Sequence, residues 1–134
     1  MARVVLDTGV LVAVARGRLD LSAIAADDDV ALPALAIAEF LVGVELDTDP
    51  ARRAGQQAFL DDVLSVVPVA DYTPQVAVHH AALLAHTRRT GRPRGPHDLI
   101  IASTARAGGR TLLTTDGRAD FDDLPEVTVR LLKP

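Results

Sequence analysis

Arg3-Val4-Val5-Leu6-Asp7-Thr8-Gly9 is the stretch that decides how this chain of 134 residues reads. A short, β-branched apolar run ends abruptly on a carboxylate, a hydroxyl and a glycine. That is the pattern of a buried strand with one charged side chain at its tip. A second stretch repeats it: Thr111-Leu112-Leu113-Thr114-Thr115 runs into Asp116. In an open parallel sheet, ligands bind beyond the carboxyl ends of the strands. Asp7 and Asp116 would both point into that crevice. Each alone has a second reading, because an Asp after a strand also caps the next helix.

Working outward, the spacing predicts a strand over 3–6 and a helix from Gly9 to Arg16, stopped by Gly17. A short helix is expected over 20–27, with Asp20 or Ser22 near its start, and then a strand at 30–32. Pro33 opens a helix over 34–46 and Asp49-Pro50 opens another over 50–64. A strand over 66–69 carries Pro68, which places it near a sheet edge or at a strand end. Thr73-Pro74 starts a long helix to Thr90, and Gly91–Pro96 is a Gly- and Pro-rich loop. A helix over 97–107 stops at Gly108-Gly109, and a last strand covers 127–131 after a polar turn. Strands alternate with helices, which predicts an α/β fold. The expected architecture is a three-layer α/β/α sandwich around a mostly parallel sheet of four or five strands, in a single domain over residues 1–134.

Composition narrows the chemistry. Hydrophobic residues make up 49% and aromatics only 3%, so the core must come from Ala, Val, Leu and Ile. Cysteine is absent, which excludes disulfides and thiolate metal sites. Four His and 18 acidic residues remain as ligands, an inventory suited to Mg²⁺ or Mn²⁺ rather than zinc. No apolar run reaches the roughly 20 residues of a membrane span, and the charged N-terminus does not read as a signal peptide. A soluble, cytoplasmic protein is expected. The one lysine is Lys133, which removes chemistry that needs a positioned lysine.

Two more acids complete a set. Glu39 lies in Ala34-Leu35-Ala36-Ile37-Ala38-Glu39-Phe40-Leu41-Val42-Gly43, and its neighbours at three and four residues are apolar or glycine. A carboxylate inside an inward stripe is costly unless it is paired or bound to metal; the other reading is a Glu that reaches solvent at the stripe's edge. Asp98 opens a helix, where the dipole favours an anion. Converging carboxylates repel, and a hard divalent ion removes that penalty. Asp120, Asp122 and Asp123 could add a further ligand; their plainer reading is as turn residues, with Asp120 the best candidate to support the set. Arg88, Arg89, Arg92 and Arg94 precede Asp98 and are candidates to grip phosphates; their plain reading is a solvated helix end and loop. His97 reads as a partly exposed loop residue. His79, His80 and His86 read as helix surface.

The motifs Val4-Val5-Leu6-Asp7-Thr8, Ala38-Glu39-Phe40, Pro96-His97-Asp98-Leu99-Ile100-Ile101-Ala102-Ser103-Thr104-Ala105 and Leu112-Leu113-Thr114-Thr115-Asp116 with Asp120-Phe121 resemble, in order and spacing, a PIN-domain ribonuclease. The resemblance is to the VapC type of bacterial toxin and covers essentially the whole chain. It implies a five-stranded parallel sheet and Mg²⁺- or Mn²⁺-dependent hydrolysis of RNA phosphodiesters. Asp7, Glu39, Asp98 and Asp116 match the family's acidic positions, and Thr8 and Thr115 match flanking hydroxyls that orient a ligand or water. It also implies a homodimer, a cognate antitoxin protein whose tail crosses the active-site face, and structured RNA such as tRNA as substrate. The same family includes nucleases of RNA processing, nucleases that act on DNA, and inactive domains that only bind.

Asp7-Thr8-Gly9 is also the signature of aspartic proteases. Those are all-β, so the long Ala- and Leu-rich helical patterns argue against them.

Overall fold

In a computed structural model, which describes residues 2–20, 24, 27–119 and 121–134, strand β1 (Arg3–Leu6) lies at the centre of the only sheet found among the described residues. The sheet also holds β2 (Asp29–Pro33), β3 (Val69–Ala70), β4 (Thr111–Thr114) and β5 (Val129–Leu131). The strands run in the order β3-β2-β1-β4-β5, and every pairing is parallel. The helices are α1 (Thr8–Ala15), α2 (Ala34–Leu46), α3 (Pro50–Val66), α4 (Pro74–Thr90) and α5 (Pro96–Ala107). Two single-turn 3-10 helices, Gly117–Ala119 and Phe121–Asp123, lead towards β5. The expected α/β/α architecture is the one observed.

Alternation along the strands builds both faces. Val4, Leu6, Leu32 and Leu113 turn one way, onto Val10, Leu11, Ala36, Phe40, Val44 and Leu60 of α1, α2 and α3. Val5 and Leu112 turn the other way, onto Leu83 of α4 and Leu99, Ile101, Ala102 and Ala105 of α5. Each such side chain contributes about 1.5–3 kcal/mol on burial. Chain punctuation sets the helix ends. Asp49 accepts from the Ala51 N–H and Thr73 from the Val76 N–H, with Pro50 and Pro74 in the first turns. Gly91 ends α4 in the left-handed region at φ 65°.

Several boundaries differ from the sequence expectation. The α3 helix continues to Val66, so the strand expected over 66–69 shrinks to Val69–Ala70. Pro68 has no N–H, yet its carbonyl accepts from the Leu32 N–H at 3.0 Å. As expected, this is an edge strand. The last strand starts at Val129 instead of 127, because the turn through Glu126 (φ 59°) draws the Val127 N–H to Leu124 O. The β4 strand ends at Thr114, one residue early. The short helix expected over 20–27 falls mostly on residues 21–23, 25 and 26, outside the described residues, as does Asp120.

The strand order places a switch point between β1 and β4: the chain winds outward through β2 and β3, then returns to pair β4 with β1. An open α/β sheet binds its ligands there, beyond the carboxyl ends of the strands. Asp7 follows β1 and Asp116 stands just beyond β4.

Candidate active site

Asp7 is only 6% exposed. Its Oδ1 accepts the Thr8 N–H at 2.8 Å, and it caps α1. Its Oδ2 accepts the Thr114 hydroxyl at 2.7 Å. Both readings of this residue therefore hold, as helix cap and as strand-tip acid. Burial pushes its pKa up from 3.8. The bonds from Thr114 and Thr8 pull it down, and the charges of Glu39 and Asp116 push it up again, leaving it raised.

Thr114 is a residue that the sequence reading passed over in favour of Thr115. Pairing of Leu6 with Leu113 sets Asp7 beside Thr114, across the β1–β4 ladder. The Thr114 hydroxyl donates to Asp7 and accepts the Asp116 N–H at 3.0 Å, tying the two acidic segments together. The signal was present in the period of two: residues 112, 114 and 116 share a parity, and Leu112 shares a core with Val5. Thr115 has the opposite parity and turns towards α1. A Cβ added at Gly9 would stand 2.5 Å from Thr115 Oγ1, so only glycine fits at position 9 without displacing that hydroxyl.

Asp98 sits in the first turn of α5, behind Gly95 and Pro96. Its pKa is raised, first by burial and then by the charges of Asp7, Asp116 and Glu39, while His97 lowers it. Gly95 makes room for it, since a Cβ there would lie 2.8 Å from Asp98 Oδ2.

Glu39 requires a correction. The buried stripe of α2 is Ala36, Phe40 and Val44, whereas Val42, Gly43 and Leu46 are exposed. Glu39 therefore lies beside the buried stripe and not within it, with its side chain 32% exposed. Nearly every α2 position is apolar, so periodicity could not say which face is inside. The carboxylate is nonetheless drawn inward by partners. Its Oε1 accepts the Thr8 hydroxyl at 2.8 Å, and its Oε2 lies 3.4 Å from His97 Nδ1. His97 is thus a neighbour of two acids and stands in the first turn of α5, not in a loop.

The arginines divide. Arg88 and Arg89 are exposed in the last turn of α4. Arg92 bonds Asp123 at 2.6 Å. The Arg94 side chain is only 7% exposed, reaches the same Asp123 at 2.8 Å and donates to Arg92 O at 2.7 Å. Arg94 thus fastens the 91–96 loop to the Phe121–Asp123 turn. The acid 29 residues away that draws it inward carries no local sequence signal.

Asp7, Glu39, Asp98 and Asp116 thus come from four different segments, and the charges of Glu39 and Asp116 reach both Asp7 and Asp98. Among the described residues no three acid or imidazole groups are near enough to hold an ion between them as they stand. The donor chemistry nonetheless fits a hard divalent cation: oxygen ligands, two of them pushed towards protonation by burial and like charge. An open groove of about 820 Å³ starts at Glu39 and runs between α1, α2 and α3, past Phe40, Val44 and Phe59 to Asp47 and Arg52. Exposed Val42 and Leu46 lie on the same helix as its floor.

Comparison with known proteins agrees with this fold. The family model of the PIN domain matches residues 4–127. The chain is 26% identical over 125 residues to "Ribonuclease VapC" of Rickettsia bellii, covering 93% of this chain and 92% of that one. It is 29% identical over 98 residues to "tRNA(fMet)-specific endonuclease VapC" of Salmonella typhimurium, covering 73% and 71%. Among solved structures, a VapBC-5 toxin–antitoxin protein of Mycobacterium tuberculosis superposes with a TM-score of 0.79 at 28% identity, over 100% of both chains.

Proposed function

The chain belongs to the PIN domain family, and from that premise we infer that it is an endoribonuclease acting as the toxin of a toxin–antitoxin pair. The observation that carries the site assignment is the gathering of Asp7, Glu39, Asp98 and Asp116 at the switch point of the sheet, where burial and then the charges of neighbouring carboxylates push Asp7 and Asp98 up. Buried like charges of this kind need a cation, and Mg²⁺ or Mn²⁺ suits the oxygen donors. Bound there, such an ion acidifies a water and polarises a phosphoryl oxygen. Asp7, Asp98 and Asp116 supply the ligand oxygens. Glu39, with Thr8 and His97 on its two oxygens, orients the attacking water. Thr114 holds Asp7 and Asp116 in relation to each other, and Thr115 borders the site beside Gly9. Exposed Arg88 and Arg89, in the last turn of α4, are the arginines we assign to the RNA backbone. Structured RNA, with tRNA foremost, is the substrate class that the Salmonella relative suggests.

The antitoxin partner follows from relatives of the VapBC type. The groove that begins at Glu39 offers its tail an apolar floor next to the acids. No helix of the described residues is long and apolar enough to cross a membrane. A cytoplasmic homodimer of single-domain chains completes the reading.

The test is cleavage of a total-RNA pool and of a tRNA pool, with Mg²⁺, with Mn²⁺ and with chelator. Chelation, Asp7→Asn and Asp98→Asn should each reduce cleavage by at least about 100-fold. The Asn variants should remain folded, because Asn caps a helix as well as Asp does at position 7 and keeps the size of the side chain at position 98, which caps no helix. Cleavage that survives chelation and both substitutions would remove the assignment.

A further inference from the structure

We propose that His97 is a positioning residue for Glu39, and that the imidazole Nδ1 and the Thr8 hydroxyl together set the direction in which that carboxylate faces the metal site. The proposal rests on the assignment of Glu39 above and adds the groups that hold it. Thr8 Oγ1 binds Oε1 at 2.8 Å and His97 Nδ1 faces Oε2 at 3.4 Å, so each oxygen has one protein partner and keeps another lone pair. Every state of the ring that carries a hydrogen on Nδ1 donates to Glu39 in this way.

Both ends of the contact are anchored by buried neighbours. Glu39 precedes Phe40, which is in the core, and His97 lies between Pro96 and the pair Asp98-Leu99, where Leu99 is buried. Pro96 fixes φ in the first turn. Two rigid helices therefore present the pair. The contact is long for a hydrogen bond, and such bonds in ligand-free sites tighten on binding.

A plain surface ion pair is the competing account. His97 is 61% exposed, and exposed pairs contribute about 0–1 kcal/mol. A stabilising role would thus leave little to measure, whereas a positioning role appears in function. The partners of a ligating group commonly change metal affinity or activity 10–100-fold when removed.

Amide replacements separate the two nitrogens, because an Asn amide stands near the place of Nδ1 and a Gln amide near that of Nε2. The experiment measures Mn²⁺ affinity by calorimetry, kcat and KM on RNA, and thermal unfolding. It uses the full chain with His97→Ala, His97→Asn, His97→Gln, Glu39→Gln and the double variant His97→Ala/Glu39→Gln. The expected result for His97→Ala is a roughly 10-fold loss in Mn²⁺ affinity and kcat. KM and the unfolding temperature should barely move. His97→Asn should recover most of the loss, and His97→Ala should add nothing to Glu39→Gln. Recovery by Gln in place of Asn, additivity in the double variant, or no effect of His97→Ala while Glu39→Gln does weaken Mn²⁺ binding would each overturn the proposal and leave the site assignment standing. If Glu39→Gln and Asp98→Asn both leave Mn²⁺ affinity unchanged, the site assignment falls, and this proposal with it.

Discussion

The two ends of the sheet handle charge in opposite ways. At the amino end, Arg110 is largely buried and its guanidinium donates to Asp29 O at 2.8 Å, Asp29 Oδ1 at 3.1 Å and Val4 O at 3.3 Å. Arg3 adds a pair to the same Asp29 at 3.5 Å. One acid there meets two arginines, and the side chains stitch β1, β2 and the start of β4 together. At the carboxyl end, Asp7 and Asp98 meet other carboxylates, and the basic group beside Asp98 is His97. The first end serves the fold and its charges are matched. The second end holds like charges together in a partly buried place, which costs stability until a cation arrives. The site proposed for function is the end where the electrostatics are left unbalanced.

Thr114 offers the sharpest way to break this contrast, because it acts at the unbalanced end without carrying charge. Thr114→Val keeps the shape and removes the hydroxyl that serves both Asp7 and the Asp116 N–H. Divalent-ion affinity, measured by calorimetry, should fall about 10–100-fold. Stability should fall by about 1–2 kcal/mol, because an acceptor and a donor lose their partner. Thr114→Ser should restore most of both. If affinity is unchanged, Thr114 only trims the end of a strand.

Arg110→Met tests the balanced end. Methionine keeps an apolar stem and deletes the guanidinium. Unfolding by denaturant should show a loss of about 1–3 kcal/mol from the vacated carbonyl and carboxylate contacts. Cleavage per folded molecule should be unchanged. A variant as stable as the parent but poorer in catalysis would mean that the two ends do not divide the work in this way.

The difference between the ends also explains how far the sequence could be read. Apolar runs that stop on Asp7 and Asp116, and helices opened by Pro50 and Pro74, are local signals, so the strand tips and most helix ends were legible to within a few residues. The side on which Glu39 lies was not. In α2 the buried Phe40 and the exposed Val42 and Leu46 are equally apolar, and packing chooses between them. Thr8 and His97 stand 31 and 58 residues from Glu39, so their contacts exist only in the fold. Thr114 was open to a parity argument. Arg94 was not, because nothing near it in sequence announces Asp123.

The smallest effect expected is also the one whose sign separates the two ends. A carboxylate whose folded pKa is raised favours the folded state below its unfolded pKa, and that contribution is lost as pH rises through the folded value. Asp7 and Asp98 are of this kind, and Asp98 is half-exposed, which screens its share. Asp47, on the rim of the groove, is the reverse: hydrogen bonds from Arg52 and the Asp49 N–H lower it to about 2. Its contribution is present above 3.8 and fades as pH falls towards about 2. Without metal, the unfolding temperature should therefore rise as pH falls from neutral towards 3.8, and then drop as Asp47 and the other ion pairs lose their charge. Saturating Mn²⁺ should invert the first limb, because an ion that binds ionised Asp7 and Asp98 competes with protons. Calorimetric scans across pH, with and without Mn²⁺, read both limbs. A metal-free protein whose stability falls steadily from neutral pH would mean that the acids at the carboxyl end are already compensated within the chain, and the contrast between the ends would disappear.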